Sequence, residues 1–209
     1  KTLTAALAPA RSLGIGSNDG ALLHALQKRG WKALGVDPAK NLAAAASQKG
    51  LITIPAFWND VVARGLCDGV APYFHLVTAC NVFAHTDDVH GFLNAVHRVM
   101  DPDGGVFVIE VVSGAQMLKD GLFDLLYFEH ASTWTTAPLE RLLRACGLKL
   151  FRVDTISTHG GSLRAWIRLK DPAALHSVQR REQASSLNVW ERIEREVVTT
   201  GVQACAEFA

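Results

Sequence analysis

The sequence lacks the cysteine pairs and the long apolar runs that define several protein classes. Its four cysteines, Cys67, Cys80, Cys146 and Cys205, form no CxxC pair and no cluster with histidine, so we expect neither a disulfide framework nor a metal site. No stretch approaches the roughly 18 apolar residues of a membrane span, and residues 1–9 lack the charged-then-apolar pattern of a signal peptide. These absences favour a cytoplasmic protein.

The sequence also lacks an excess of charge. Lysine and arginine number 21 and the acids 20, which gives a formal charge of +1 without a long run of one sign. We therefore expect neither nucleic acid nor a membrane surface as a partner. The length of 209 residues fits one domain with an appendage. Because the chain begins without methionine and reaches its first strand almost at once, we expect it to be an excerpt of something longer.

Residues 13–20 read LGIGSNDG and place three glycines where an apolar strand should meet a helix. Glycine admits a positive φ and lets a ligand approach the backbone, and Asn18 or Asp19 can cap a helix that begins at Ala21. Free N–H groups at such a helix start form a cradle for a small charged ligand. An ordinary strand-to-helix turn explains these eight residues equally well.

The chain then alternates between predicted strands and helices. Strands are predicted over 11–15, 31–36, 50–54, 73–79 and 106–112, and helices over 19–28, 39–48 and 86–100, with a short amphipathic turn or helix over 57–64. This order implies a mostly parallel sheet covered by helices on both faces. Asp37 follows the second strand, where a nucleotide-type fold places the partner of two ribose hydroxyls. Capping of the next helix is the alternative, and both can be true together.

Ligands bind such sheets at the carboxyl ends of the strands. Four segments should therefore converge on one cleft, namely residues 14–20, Asp37, residues 81–85 and Glu110. We expect Glu110 to bind substrate or to cap the segment that follows it.

Two predicted strands, over 148–158 and 162–169, follow a helix predicted over 136–146 and are joined by His159, Gly160 and Gly161. An antiparallel hairpin that closes a seven-stranded, mostly parallel sheet departs from the dehydrogenase order and suits a Rossmann-like class I methyltransferase. Residues 123–134 show no clean period. We predict a methyltransferase domain over residues 1–170 and a helical extension over 171–209.

Six motifs resemble one family, the S-adenosylmethionine-dependent sugar C-methyltransferases that alkylate carbon 3 of nucleotide-linked 4-keto-deoxysugars. They are IGSNDG at 15–20, GVDP at 35–38, NVFAHTDD at 81–88, PDGGVFVIE at 102–110, FDLLYFEH at 123–130 and HGGSLR at 159–164. They occur in family order, which makes the resemblance more specific than the glycine segment alone.

The resemblance implies S-adenosylmethionine as cofactor. The glycine segment would take its methionine end, Asp37 its ribose hydroxyls, and the loop after the fourth strand its sulfonium region. The implied cofactor-binding residues are Gly14, Gly16, Ser17, Asn18, Gly20, Asp37, Pro38, Asn81 and Val82.

The resemblance also implies a sugar pocket with His130 as general base, Tyr127 and His85 at the sugar oxygens, and Glu129 as an orienting residue. Methylation of carbon requires removal of a proton α to the ketone while donors stabilise the enolate oxygen. Histidine titrates near neutral pH and suits the role of base. His159 lies in the predicted hairpin turn, and we interpret it as a surface residue rather than a pocket residue.

The chain departs from the family at several points. Gly14 stands where class I methyltransferases usually carry an acid that attends the methionine amino group, and Phe128 replaces a common histidine. The amino-terminal zinc module of the family is not in this sequence, and the half that follows HGGSLR is reduced to one predicted helical tail. These parts normally help to hold the nucleotide-sugar, so we expect a homodimer or flanking domains to supply them, or a different substrate.

Three functions follow as hypotheses. The first is C-methylation of a keto-sugar nucleotide or related activated ketone through an enolate. The second is O- or N-methylation of a small metabolite, in which His130 deprotonates a hydroxyl. The third is a non-catalytic cofactor-binding domain that contacts a partner through residues 172–209.

Overall fold

Seven strands and six α-helices alternate through residues 9–170, the part of the chain that a computed structural model describes. The strands are β1 (Arg11–Ile15), β2 (Lys32–Val36), β3 (Ile52–Ile54), β4 (Leu76–Cys80), β5 (Val106–Val112), β6 (Leu148–Ile156) and β7 (Ser162–Leu169). The helices are α1 (Ala21–Lys28), α2 (Lys40–Gln48), α3 (Asp60–Gly69), α4 (Val89–Val99), α5 (Gly114–Asp120) and α6 (Thr136–Ala145).

The strands form one sheet in the order β3-β2-β1-β4-β5-β7-β6. The first five are parallel, whereas β7 runs antiparallel to both β5 and β6. The predicted fold class, a mostly parallel seven-stranded sheet with a carboxyl-terminal antiparallel hairpin, is confirmed. The chain order reverses between β1 and β4, and ligands bind open α/β sheets at such a switch point.

The central strands are apolar on both faces because helices cover both. Neighbouring residues of β4 enter different cores: Val77 packs in the larger cluster with Phe92 and Leu93 of α4, and Leu76 packs in the smaller cluster with Trp31. Such burial on both faces produces a nearly continuous hydrophobic run rather than alternation. The sheet therefore gives the loops at its carboxyl edge a rigid base.

Two segments differ from the prediction in a way that affects the site. The turn or helix predicted over 57–64 is a helix that begins only at Asp60, because Asn59 is its cap and accepts a hydrogen bond from the Val62 N–H at 3.0 Å. Phe57 and Trp58 therefore lie in a loop at the end of β3.

Helix α5 was not predicted. Its seven residues, Gly114–Asp120, lie between the amino-terminal cap Ser113 and the carboxyl-terminal cap Gly121, which has a φ of 67°. Residues 123–134 contain only a short 3-10 turn, Phe123–Leu125, before an isolated bridge pairs Trp134 with Ser113.

The helix predicted over 171–209, and with it the boundary between the two predicted domains, lies outside the described residues. Over residues 9–170, none of the helices has the length and apolar character that a membrane crossing requires.

A buried ion pair joins the hairpin to the parallel strands. Glu110 of β5 and Arg164 of β7 lie opposite each other in the antiparallel register, and each side chain is 3% exposed. Arg164 Nε donates to Glu110 Oε1 at 2.5 Å, and Nη2 contacts the same oxygen. The carboxylate of Glu110 is therefore engaged inside the sheet, and the residue does not line the cavity described below.

Replacing Arg164 with methionine should destabilise the fold by about 3–5 kcal/mol, because it leaves the Glu110 carboxylate buried without its partner. Urea unfolding followed by circular dichroism measures the change. Arg168→Met on the exposed side of the same strand is the control, with an expected loss of at most about 1 kcal/mol. Equal losses in the two variants would contradict a special role for the buried pair.

Candidate functional site

A cavity of about 930 Å³ opens at the carboxyl edge of the sheet, where the strand order reverses. Its walls come from the loops that follow β1, β2, β3 and β4, together with the start of α4 and the turn between β6 and β7. The predicted convergence of the glycine segment, Asp37 and residues 81–85 on one cleft agrees with this geometry.

The glycine segment passes close to the loop after β4. Gly16 has a φ of 62°, and a Cβ at this position would lie 2.2 Å from Val82 Cγ2. The N–H groups of Gly16 and Ser17 donate to the Val36 carbonyl at 2.8 and 3.3 Å. Only glycine combines this conformation with this close approach, so the segment forms a cradle without side chains at its narrowest point.

Asp37 ties this cradle to the next helix. Its side chain is 6% exposed; Oδ2 accepts a hydrogen bond from the Asn18 N–H at 2.8 Å and Oδ1 accepts one from the Ala39 N–H at 2.9 Å. Asp37 also lines the cavity, and each carboxylate oxygen has a further lone pair. The two predicted roles, organising the start of α2 and facing a ligand, are therefore compatible in the structure.

Three non-glycine residues within residues 9–170 have positive φ: Asn18 at 53°, Asn81 at 54° and His159 at 53°. All three line the cavity. Left-handed backbone is unfavourable for residues with a Cβ and concentrates at functional sites. The distribution of backbone strain therefore marks the same cavity as the motifs do.

Two histidines and a tyrosine meet beside the cavity. The ring centroids of His85 and His130 lie 5.0 Å apart, and those of Tyr127 and His130 lie 4.1 Å apart. His85 Nδ1 is 2.7 Å from the Glu129 carbonyl oxygen, and His130 Nδ1 is 2.7 Å from the Leu125 carbonyl oxygen. The irregular segment that follows α5 is thus fastened to the loop after β4.

The partners of these two histidines determine which nitrogen carries the proton. A carbonyl oxygen only accepts hydrogen bonds, so each Nδ1 is the N–H donor. In the neutral imidazole this leaves the lone pair on Nε2 free. His130 and His85 each offer Nε2 as a base, with the ring held by a backbone contact.

Most of the predicted site residues line the cavity, and the others lie outside its lining. Of the nine predicted cofactor-binding residues, eight line the cavity, and so does His85; they are Gly14, Gly16, Ser17, Asn18, Asp37, Pro38, Asn81 and Val82. Gly20 does not: it precedes α1 with a φ of 84°, and a Cβ there would lie 2.4 Å from Leu51 Cδ1. This glycine therefore serves helix packing.

Tyr127, Glu129 and His130 are not among the lining residues, although the His130 ring lies 5.0 Å from that of His85, which does line the cavity. Glu129 contributes its backbone carbonyl to His85, and its side chain is exposed. The loop that carries these three residues therefore meets the cavity through His85.

Gly14 stands where an acidic residue was expected, and the packing around it explains why a larger side chain is absent. Gly14 is buried in β1, and a Cβ there would lie 3.0 Å from Leu23 Cδ2 and 3.3 Å from Ser17 Cβ. Leu23 fills the space that a carboxylate side chain would need. An apolar contact therefore occupies this part of the cradle.

The charges that line the cavity are almost all negative. Five aspartates contribute to its wall, and none of its described lining residues is lysine or arginine; the aspartates are Asp19, Asp37, Asp60, Asp87 and Asp88. Two of them are compensated by ion pairs: Asp19 with Lys49 at 2.6 Å, and Asp60 with Arg64 and Arg98 at 2.6 and 2.8 Å. The negative charge that favours a positively charged ligand over an anion therefore comes from Asp37, Asp87 and Asp88.

Sequence reasoning missed the wall formed after β3. Phe57, Trp58 and Asn59 line the cavity, and Trp58 Nε1 donates to the Phe92 carbonyl at 3.3 Å. Their place at the carboxyl end of a parallel strand was a usable signal, the same one that identified Asp37. The amphipathic pattern predicted over 57–64 hid it by including both aromatics in a helix.

Comparison with known proteins places the chain in a family. A family model for the methyltransferase domain matches residues 1–153. The C-methyltransferase NovU of Streptomyces niveus is 38% identical over 151 residues, which cover 71% of this chain and 35% of NovU. The ubiquinone biosynthesis O-methyltransferase of Pseudomonas aeruginosa is 28% identical over 105 residues, or 50% of this chain and 45% of that protein.

The fold has solved relatives as well. The plantazolicin methyltransferase BamL, whose crystal structure contains S-adenosylhomocysteine, superposes with a TM-score of 0.59 over 78% of each chain at 14% identity. The chain spans about a third of the length of NovU and less than half of the ubiquinone enzyme. Because the family model covers well over half of the sequence, the chain belongs to the methyltransferase domain family, whose enzymes use S-adenosylmethionine as methyl donor.

Proposed function

We propose that the cavity holds S-adenosylmethionine with its ribose at Asp37 and its methionine end along the glycine segment. The Gly16 cradle, which a Cβ would fill, and the buried Asp37 carboxylate fit such a ligand. The lining carboxylates of Asp37, Asp87 and Asp88 suit its positive charge. When bound, the cofactor supplies a methyl group that its sulfonium makes electrophilic. Phe57 and Trp58, at the end of β3, provide an apolar wall for the adenine.

The reaction that we propose is C-methylation of a keto-sugar nucleotide or a related activated ketone. The 38% identity to the C-methyltransferase NovU supports carbon as the site of methylation. The observation that carries the proposal is the contact of His130 Nδ1 with the Leu125 carbonyl, which leaves Nε2 free as a base. Tyr127 and His85 lie directly beside this ring.

In this proposal the keto-sugar extends past the cavity wall at His85 to the adjoining rings of His130 and Tyr127. There His130 Nε2 removes a proton from the carbon α to the ketone, and the electron pair moves to the ketone oxygen. The Tyr127 hydroxyl is the donor that stabilises this oxygen without a change of protonation state. His85 donates from Nε2 only as imidazolium, since its Nδ1–H is already engaged with Glu129. The enolate carbon would then accept the methyl group as its bond to the sulfonium breaks, which leaves a neutral thioether, while the proton stays on His130. A single base and one donor therefore suffice on the side of the protein.

The diphosphate of a nucleotide-sugar needs cationic partners, and the described lining residues include no lysine or arginine. We propose that residues beyond 9–170, in flanking domains or a second copy of the chain, bind the nucleotide. The share of NovU that this chain spans, 35%, is compatible with such a division.

We further propose a cytoplasmic location, which supplies both the cofactor and nucleotide-linked sugars.

O-methylation of a small metabolite is a second candidate. The similarity to the ubiquinone biosynthesis O-methyltransferase supports it, although it covers 50% of the chain. The same free Nε2 would remove a hydroxyl proton. Membership of an enzyme family favours both reactions over a non-catalytic domain.

Solvent exchange separates the two reactions. C-methylation predicts that the full chain, given S-adenosylhomocysteine in place of the methyl donor, incorporates deuterium from D₂O at the carbon α to the ketone of a nucleotide-linked 4-keto-deoxysugar. Proton NMR follows the loss of that resonance. A protein that methylates the sugar without catalysing this exchange would favour the O-methylation candidate.

Asp37→Ala should weaken binding of S-adenosylhomocysteine by about 10-fold or more, because it removes a carboxylate that holds the glycine segment and faces the ligand. Isothermal titration calorimetry measures the dissociation constant. Asp68→Ala, an exposed acid of α3 outside the cavity lining, is the control and should bind as the wild type does. Undiminished affinity in Asp37→Ala would remove this residue from the cofactor site.

His130→Gln should slow deuterium exchange by about 100-fold or more, since a missing general base typically costs that much. Affinity for S-adenosylhomocysteine should stay within about 2-fold, because His130 does not line the cavity. The control is His97→Gln in α4, which packs beside Gly147 away from the cavity. Exchange at the wild-type rate in His130→Gln would exclude His130 as the base.

A further inference from the structure

The turn motif HGGSLR, residues 159–164, has a structural explanation for most of its polar and glycine positions. Arg164 forms the buried ion pair with Glu110, and Ser162 Oγ donates to the Thr158 carbonyl at 3.0 Å. Gly160 and Gly161 have φ values of 74° and 127°. A Cβ on them would lie 2.9 Å from a carbon of Leu122 and 2.5 Å from one of Gln116, respectively. Folding therefore accounts for these four residues.

His159 has no such explanation. Its imidazole is exposed and has no hydrogen-bond or ionic partner among residues 9–170. Its backbone has a φ of 53° and a ψ of 39°, a conformation that glycine or asparagine adopts more easily. The fold would accept a glycine here with less strain, yet the position carries a histidine whose side chain lines the cavity.

The strand order fixes the side from which His159 approaches. Gly161 accepts a hydrogen bond from the Ser113 N–H at 3.1 Å, and Val112 pairs with Ser162, so the turn sits beyond the carboxyl end of β5. The glycine segment and Asp37 follow β1 and β2, on the other side of β4. His159 therefore enters the cavity opposite the proposed cofactor residues, on the side left for the methyl acceptor.

His159 and His85 are also the only described lining side chains that can carry a positive charge. An imidazole has at least one N–H donor in either protonation state. Because the turn is held by the Gly161 contact and the ion pair beneath it, its position is fixed relative to β5. These properties suit a group that binds an oxygen-rich ligand.

We propose that His159 is a substrate-binding residue whose imidazole donates a hydrogen bond to an oxygen of the methyl acceptor, across the cavity from the cofactor. The proposal rests on the proposed methyl transfer to a keto-sugar nucleotide. It extends the interpretation of His159 as a surface turn residue, since this exposed turn residue also lines the cavity.

The test compares His159→Asn and His159→Gly with the wild type in the full 209-residue chain. Both substitutions remove the imidazole while permitting the left-handed backbone, so Tm should stay within about 2 °C of the wild type or rise. Affinity for S-adenosylhomocysteine should not change. The kcat/KM for a nucleotide-linked 4-keto-deoxysugar should fall about 10- to 100-fold, mainly through KM. Ser157→Ala, in the same turn, should change none of these quantities.

Wild-type kcat/KM in both variants would overturn the proposal, and so would a loss that is matched by a lower Tm or weaker S-adenosylhomocysteine binding. If the wild type methylates no keto-sugar, the proposed function fails, and a second measurement then decides about His159. The ring proton resonance of His159, assigned by its loss in His159→Asn, is followed while the 4-keto-deoxysugar nucleotide is added to the S-adenosylhomocysteine complex. A shift of this resonance supports the contact, and an unmoved resonance overturns it.

Discussion

The buried ion pair between Glu110 and Arg164 connects the two halves of this molecule. It fastens the antiparallel hairpin to the last parallel strand, with both side chains almost wholly removed from solvent. The backbone of Glu110 also accepts the Asn81 N–H at 2.9 Å, which holds the loop after β4. Both loops that face the acceptor side of the cavity, one with His85 and one with His159, therefore depend on the same residue pair.

The cofactor side depends on a second carboxylate. Asp37 accepts N–H groups from the glycine segment and from the start of α2, so one side chain sets the relative position of two loops. Its carboxylate, together with those of Asp87 and Asp88 on the wall before α4, makes the cavity attractive to a sulfonium. The glycine at position 14, where an acid was expected, leaves this attraction in place because the acids of the wall lie at other positions. Leu23 fills the space beside Gly14.

The central strands were predictable from sequence because burial on both faces gives β4 and β5 a nearly continuous apolar run. Strand β5 over 106–112 and strand β7 over 162–169 have the predicted bounds. Helix α3 was misjudged at its start because Phe57 and Trp58 fit its amphipathic pattern but face the cavity from a loop. Residues 123–134 have no period because tertiary contacts shape them, among them those of His85 with Glu129 and of Gly114 with Trp134.

For the candidate site, the motifs identified many residues of the cavity. The hydrogen-bond partners that determine the chemistry of these residues became known only from the structure. No sequence pattern reveals that Leu125 and Glu129 offer their carbonyls to two histidines and so leave both Nε2 atoms free. The pairing of Glu110 with Arg164 depends on strand register, which the sequence does not specify at a distance of 54 residues. The role of His159 becomes visible only when its backbone conformation and its place on the cavity wall are known together.

Transfer of a ¹³C-labelled methyl group from S-adenosylmethionine to a nucleotide-linked 4-keto-deoxysugar, with the product analysed by ¹³C NMR, decides whether this chain methylates carbon. We expect a label bonded to the carbon next to the ketone, with the chemical shift of a methyl group on carbon. A label bonded to oxygen or nitrogen, or no transfer to any such ketone, would contradict this expectation.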